Sequence, residues 1–188
     1  MTSLCYNSPI GPLLVAEEDG HIVEISFMDR DTRPEFRKAV QLLDIPCGAV
    51  QPLEIPSGAA RPQNQPQPGD TVVAATCIEE LKAYFAGKLR EFTVPFKPKG
   101  TDFRKRVWTA LMTIPYGQTI SYKELAVRIG QPNASRAVGG ANNHNPISII
   151  VPCHRVIGAN GALVGYGGGL DIKEFLLKHE LAILQQTQ

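Results

Sequence analysis

At 188 residues, 43% hydrophobic and 20% charged, the chain has room for one sizeable domain or two small ones and can bury a core. No apolar run approaches bilayer length, and the first twenty residues lack a basic region followed by an apolar one, so a cytoplasmic location is expected. The net charge of +1 hides an asymmetry: Lys/Arg against Asp/Glu is ten to thirteen in residues 1–100 (−3), seven to two in 101–156 (+5), and two to three in 157–188 (−1).

Along the N-terminal part, Gly11–Ala16 and His21–Phe27 are apolar runs around the acidic turn Glu17-Glu-Asp-Gly20, the pattern of a β-hairpin. Pro34 can start a helix through about Leu43. Residues 45–69 repeat Pro, Gly and Gln with little periodicity and read as a long loop. Thr76-Cys-Ile-Glu79 has the form of a capping box, followed by Ile78, Leu81 and Phe85 on one helical face until Gly87. Phe92-Thr-Val-Pro95 suggests one more strand. A small α+β unit up to about Lys99 results, with no catalytic constellation in it.

Beyond Gly100 the signals become helical. Asp102 is placed as a cap, Phe103, Val107, Ala110 and Leu111 form an inward stripe, and Pro115-Tyr-Gly117 breaks the helix. Ser121-Tyr-Lys-Glu124 is a capping box for a helix bearing Leu125 and Ile129 and stopping at Gly130. Gln131-Pro132 turns the chain, and Asn133 can cap a second helix through Arg136, Val138 and Ala141. Helix, tight turn, helix is the layout of a helix-turn-helix, although many helical hairpins bind nothing. The second helix is small-faced, with Ala134, Ser135, Ala137, Gly139, Gly140 and Ala141 around the single cation Arg136. That composition suits tight helix packing or a narrow groove probed by Arg136. The basic block 101–156 points to an anionic partner, nucleic acid being the commonest for such a patch, against the plainer reading of a solvated basic face.

The run Ile147-Ser-Ile-Ile-Val-Pro-Cys-His-Arg-Val156 is β-branched up to Pro152, which predicts a strand that ends by presenting Cys153 beside His154. A neighbouring imidazole, or a proton relay through one, favours the nucleophilic thiolate. The four cysteines, Cys5, Cys47, Cys77 and Cys153, show neither CxxC nor regular spacing, so neither a disulfide framework nor a zinc knuckle is expected. In the last helix, introduced by Gly165-Tyr-Gly-Gly-Gly169 and assigned Asp171 as its cap with Glu174 three residues on, Ile172, Leu176 and Ile183 form an inward stripe. Glu180 falls on that stripe, where a carboxylate needs a partner such as a histidine. Cys153, His154 and Glu180 make a nucleophile, base and orienter set. A thiol hydrolase and an alkyl acceptor both use such a set, and a basic helix-turn-helix fits the second.

Arg136-Ala-Val-Gly-Gly-Ala141, Asn145-Pro146, Ile149-Ile-Val-Pro-Cys-His-Arg-Val-Ile157, Gly165-Tyr166 and Lys173-Glu-Phe-Leu-Leu-Lys-His-Glu180 resemble the alkylguanine-DNA alkyltransferases, the methylated-DNA-protein-cysteine methyltransferases that repair 6-O-alkylguanine. The resemblance is continuous from about Asp102 to Glu180 and is architectural only before that. It implies an α+β protein: a small ribonuclease H-like α/β domain over 1–99, then a mostly helical domain over 100–188 with the helix-turn-helix and the active site. It further implies irreversible, single-turnover transfer of an alkyl group from 6-O-alkylguanine, and 4-O-alkylthymine, in double-stranded DNA to Cys153. His154 would deprotonate Cys153 through a water, Glu180 would orient the imidazole, and Asn145 would be the hinge tying the recognition helix to the active-site turn. Tyr122 would assist base flipping and donate a proton to the departing guanine, Arg136 would fill the vacated stack, and Lys123 and Gly139 would contact DNA. Tyr166, Ser148 and Val156 would line the substrate pocket.

Ser148 stands where some members carry a proline, and Gly167 where others carry a small polar residue. Both leave more room, which implies acceptance of alkyl groups larger than methyl. Some members hold a structural zinc through N-terminal Cys and His; Cys5 and His21 are here without a four-ligand set, so no metal and no cofactor are expected. A monomer acting without a membrane is the expected working form. A relative that binds alkylated DNA without repairing it is the alternative, and the presence of Cys153 argues against it.

Overall fold

The first three strands pair in chain order. β1 (Thr2–Ser8), β2 (Gly11–Glu18) and β3 (His21–Phe27) form an antiparallel sheet ordered β1-β2-β3 in a computed structural model that describes residues 1–28 and 72–186. The helix expected over 34–43 and the loop expected over 45–69 lie outside the described residues. The β2–β3 hairpin turns at Asp19 and Gly20, both with positive φ (50° and 69°), the geometry for which Asp-Gly is favoured in two-residue turns. β1 was not foreseen in the sequence, because its residues alternate only weakly.

α1 (Val72–Phe85) lays Ala74, Cys77, Ile78, Leu81 and Tyr84 on the sheet. It starts four residues before the expected capping box. Thr76 therefore lies inside the helix, where its hydroxyl donates to Val72 O at 2.7 Å, the usual back-bond of a helical threonine. The free N–H of Ala74 is met instead by the buried carboxylate of Glu17 on β2, at 2.5 Å. The expected strand over 92–95 reduces to one parallel bridge, Ile22 to Phe96, held by Ile22 N to Pro95 O and Lys97 N to Ile22 O, both 2.8 Å. Pro95 has no N–H with which to extend it.

The C-terminal part is helical, and its buried side chains continue the same apolar core. α2 (Asp102–Leu111) is capped by Thr101, whose side chain accepts from Arg104 N, so Asp102 is the first helical residue and not the cap. Trp108 is buried in α2 and its indole donates to Ala141 O at 2.9 Å. β4 (Ile120–Ser121) runs parallel to β5 (Val156–Ile157). α3 (Tyr122–Arg128) has the expected capping box, with Ser121 and Glu124 bonding each other's backbone. α4 (Ser135–Asn143) begins after Ala134 with no side-chain cap, so Asn133 does not cap it. α5 (Leu170–Gln185) begins after Gly169, at φ 94°, again without a side-chain cap, which removes that role from Asp171. The wide glycine conformation turns the chain into the helix directly.

The β-branched run 147–151 is not a strand. It is a tight turn in which Ile149 takes φ 75°, a left-handed conformation rare and costly for a β-branched residue. Its first residues dock on the sheet: Ile25 N of β3 donates to Pro146 O at 2.8 Å and Ser148 N donates to Ile25 O at 3.4 Å, around the isolated parallel bridge Ile25–Ile147. The N-terminal sheet is thereby stitched to the segment leading to Cys153.

Candidate active site

Cys153 opens a short 3-10 turn, Cys153–Arg155, and is 3% exposed. Asn145 holds it. One amide nitrogen, Asn145 Nδ2, lies 2.8 Å from Val151 O and 3.0 Å from Cys153 Sγ, while Asn145 Oδ1 accepts from Ile147 N at 3.0 Å. The side chain thus spans the strained turn and the thiol together, and Asn142 Nδ2 adds a bond to Cys153 O at 3.2 Å. Strain at Ile149 persists because the surrounding bonds determine the turn from both sides.

His154 and Glu180 are both fully buried. His154 Nε2 is 2.8 Å from Glu180 Oε1. A carboxylate only accepts, so Nε2 carries the proton and Nδ1 the lone pair; Nδ1 is buried without a hydrogen-bond partner in the protein. Glu180 collects further donors. Oε1 also accepts from Tyr84 OH (2.9 Å) and Arg155 Nη2 (3.0 Å), and Oε2 from Arg155 Nε (2.9 Å) and Gly117 N (2.8 Å). Gly117 sits at φ 71°, and a Cβ there would fall 2.3 Å from Leu184, so the approach of its N–H to the carboxylate needs a glycine.

Arg155 was grouped with the basic block, but it is 7% exposed and spends its donors on Glu180 and on Ile114 O at 2.7 Å. It is part of the buried network and not of any charged surface. Lys173 is likewise buried, donating to Val156 O (2.5 Å) and Val164 O (2.8 Å), with its ammonium 5.7 Å from the centre of the Tyr122 ring. Tyr122 OH donates toward Val164 O (3.0 Å) and Gly165 O (3.1 Å). Gly139 of α4 faces that ring, since a Cβ on it would lie 3.8 Å from the Tyr122 carbons.

These surroundings set the protonation states. Burial pushes the Cys153 thiol up to about 11, against the Asn145 bond and the Lys173 charge, so the resting group is a thiol and not a thiolate. Burial also draws His154 below the ordinary histidine range despite Glu180, which leaves the imidazole neutral. Burial alone would raise Glu180, but the bonds and charges of His154 and Arg155 outweigh it and hold the carboxylate well below its usual range. Tyr122 is raised to about 12, by burial first and then by the Cys153 charge, and keeps its proton. Burial lowers Lys173 to about 8.

A cavity of about 420 Å³ opens on Cys153 and is lined in part by Asn145, Ser148 and Tyr166. Val156 is fully buried in β5 and is not among the cavity's lining residues. Lys123 and Arg136 are exposed on α3 and α4. The residues missed in the sequence are Tyr84, Asn142, Arg155 and Lys173. Lys173 could have been found, because it precedes Leu176 and Glu180 at i, i+3, i+7, the same stripe that exposed Glu180. Tyr84 offers no such signal; an inward tyrosine on α1 reads as core. Among the described residues no group of three or more His, Cys, Asp and Glu side chains could hold a metal ion, and no helix is long and apolar enough to cross a membrane. Among the described residues Cys77 and Cys153 are free cysteines, both buried.

Residues 3–98 match the 6-O-methylguanine DNA methyltransferase ribonuclease-like domain, and residues 102–182 match the DNA binding domain of the same enzymes. A methylated-DNA–protein-cysteine methyltransferase of Methanosarcina acetivorans is 47% identical over 175 residues, spanning 93% of this chain and 95% of that protein. One from Mycobacterium bovis is 59% identical over 115 residues, 61% of this chain and 68% of its own. The crystal structure of Mycobacterium tuberculosis O6-methylguanine methyltransferase covers 100% of both chains at a TM-score of 0.75 and 41% identity, and a Mycobacterium tuberculosis OGT crystallised with DNA covers 95% of this chain and 92% of its own at 0.72 and 42%. Matches that together run through both halves and through the Cys153 site, at this identity, leave one conclusion: the chain belongs to the 6-O-methylguanine DNA methyltransferase family.

Proposed function

We propose that the chain repairs alkylated DNA by direct reversal, moving the alkyl group of 6-O-alkylguanine, and of 4-O-alkylthymine, onto its own Cys153 and acting once. The observation that carries this reading is the setting of Cys153: a buried thiol bonded by Asn145, followed by a neutral histidine whose proton-bearing nitrogen is pinned to Glu180. A thiol that rests protonated needs a base at the moment of attack. His154 Nδ1 carries the lone pair that would take the proton, relayed by a water, and Glu180 holds the imidazole in that tautomer. Sγ then forms its bond to the alkyl carbon, the carbon–oxygen bond breaks with its electron pair passing to the base, and Tyr122 supplies the proton that the base takes up. A thioether has no good leaving group, which is why the reaction ends there.

The reading assigns DNA contact to α3 and α4 as a helix-turn-helix, with Arg136 entering the stack, Gly139 allowing close approach and Lys123 on the backbone. It assigns residues 1–99 to a ribonuclease H-like domain and 100–188 to the domain that binds DNA and reacts, in a cytoplasmic monomer. Incubation with a duplex bearing 6-O-methylguanine tests it: mass spectrometry should find one added methyl group on the peptide containing Cys153, with activity lost in equal stoichiometry. No added mass would leave a protein that binds alkylated DNA without repairing it.

Arg136→Ala is expected to slow repair in duplex DNA roughly tenfold or more, because the unstacking cost of a few kcal/mol loses its offset, while reaction with free 6-O-benzylguanine changes little. Equal losses on both substrates would remove the intercalating role. The transfer rate should also fall as pH drops through a value below about 6.5, the ordinary histidine pKa, since protonation of His154 removes the base. Folding stability follows the same sign. His154 is held neutral in the fold, so its contribution is present above the ordinary value and is lost as pH falls through the lowered one. A His154→Gln variant that transfers methyl groups at the unsubstituted rate would exclude His154 as the base.

A further inference from the structure

In the proposed transfer Tyr122 gives up its proton to the departing base, and its surroundings resist the charge that this leaves behind. Burial raises the hydroxyl first, and the Cys153 charge raises it further. The groups that the hydroxyl bonds in the resting fold, Val164 O (3.0 Å) and Gly165 O (3.1 Å), are acceptors, which hold the proton in place and offer a phenolate nothing. Lys173 stands over the ring, its ammonium 5.7 Å from the centroid, and directs donors to Val156 O and Val164 O. A donor at the phenolic oxygen itself is the missing part.

Asn142 supplies it. This residue is buried in the last turn of α4, three positions after Gly139, and a Cβ on Gly139 would lie 3.8 Å from the Tyr122 ring. Residues three apart share a helix face, so Asn142 belongs to the face of α4 that meets Tyr122. Trp108 fixes this stretch of the helix, its indole donating to Ala141 O at 2.9 Å. An amide nitrogen has two hydrogens to give. Asn142 Nδ2 donates to Cys153 O at 3.2 Å, and the side chain also bonds the Tyr122 hydroxyl, a bond that draws the group down against its burial. Asn142 Oδ1 is buried without a hydrogen-bond partner in the protein, so the amide's polar contacts in this core are those of its nitrogen.

We propose that Asn142 is a positioning residue of the transfer: its amide ties the backbone of the acceptor Cys153 to the hydroxyl of Tyr122 and holds the phenolate that forms there. This rests on the alkyl-transfer reading above and adds a residue to it. As Sγ bonds the alkyl carbon and the carbon–oxygen bond breaks, the Tyr122 O–H bond breaks and its proton joins the base. The negative charge left on Tyr122 Oη is balanced by the proton that Cys153 gave to His154, and nothing is oxidised or reduced. A donor binds a phenolate more strongly than a phenol, so the Asn142 bond strengthens as the proton leaves.

The test is a double-mutant cycle on the full chain, read as the limiting rate of methyl gain at Cys153 with a saturating excess of protein over a duplex bearing 6-O-methylguanine. Tyr122→Phe should slow transfer by about 10²- to 10⁴-fold, the range of general acid catalysis. Asn142→Ala should slow it by about 10- to 100-fold, the range of one hydrogen bond to a charged group. In the Tyr122→Phe background, where no phenolate forms, Asn142→Ala should change the rate by less than about twofold. A residue that only held Cys153 or the fold would lower the rate by the same factor in both backgrounds. Losses that multiply, or an Asn142→Ala chain as fast as the unsubstituted one, overturn the proposal and leave the alkyl-transfer reading standing. If Asn142→Ala does not fold, Asn142→Leu keeps the volume, lacks the donor and completes the same cycle. Tyr122→Phe at the unsubstituted rate removes the proton donor, and the positioning residue with it, while Cys153 still gains methyl. No methyl gain in the unsubstituted chain overturns the alkyl-transfer reading itself.

Discussion

Cys153→Ala is expected to abolish alkyl transfer completely while leaving duplex binding within about twofold of the unsubstituted chain, the near-neutral effect usual for a change away from a binding surface. The thiol is 3% exposed, and the side chains assigned to DNA stand on α3 and α4, so its removal takes away the acceptor without touching that surface. Alanine also fills part of the site and costs Asn145 Nδ2 only its bond to Sγ, since its 2.8 Å bond to Val151 O is kept. A mass spectrum without methyl gain, beside an unchanged mobility shift on alkylated duplex, is the predicted pair of results. Methyl gain elsewhere in the variant would move the acceptor from Cys153.

Glu180→Ala should damage both stability and reaction. The carboxylate accepts from Tyr84, Gly117, His154 and Arg155, and removing it leaves the buried Arg155 guanidinium without its counter-charge. Breaking one partner of a buried ion pair costs about 3–5 kcal/mol, a large fraction of the roughly 5–15 kcal/mol by which a typical domain is stable. Glu180→Gln keeps the shape but neither the charge nor a full set of acceptors, so it should lie between the two. The readouts are thermal unfolding for stability and, at a temperature where the variant is still folded, the rate of methyl transfer. A Glu180→Ala protein of ordinary stability would show that the network does not anchor the fold. Ordinary stability with a slow rate would confine Glu180 to orienting His154. The stabilising part also carries a pH signature, since Glu180 is held charged: its contribution is present above the usual carboxylate range and is lost as pH falls through the lowered value.

The elements that were legible are those whose cause is local. Asp19-Gly20 makes a hairpin turn because those two residues tolerate positive φ, and Ser121 with Glu124 caps α3 because both partners lie within one helical turn. The start of α1 was misread for the opposite reason. Its N-terminal donor is met by Glu17, 57 residues earlier in the chain, so a nearer Thr-x-x-Glu pattern looked like the cap. The run 147–151 was misread as a strand because its composition is that of one; only the bonds from Asn145 and the bridge to β3 make a left-handed Ile149 tolerable.

The candidate site divides in the same way. Cys153, His154 and Arg155 are consecutive, and Glu180 betrays itself as a carboxylate on an apolar stripe, so the reacting group, its neighbour and a buried acid were readable from spacing and chemistry alone. That Tyr84 and Gly117 converge on the same carboxylate, and that Arg155 turns inward instead of toward a charged surface, were decided only by the tertiary structure. The physical reason is separation along the chain. A helical or strand period records which face of an element is buried, whereas a hydrogen bond between residues 96 apart, such as Tyr84 to Glu180, depends on how the elements dock. Even the state of the thiol followed that rule: an adjacent histidine suggested a thiolate, and burial by the assembled core made it a thiol until the moment of reaction.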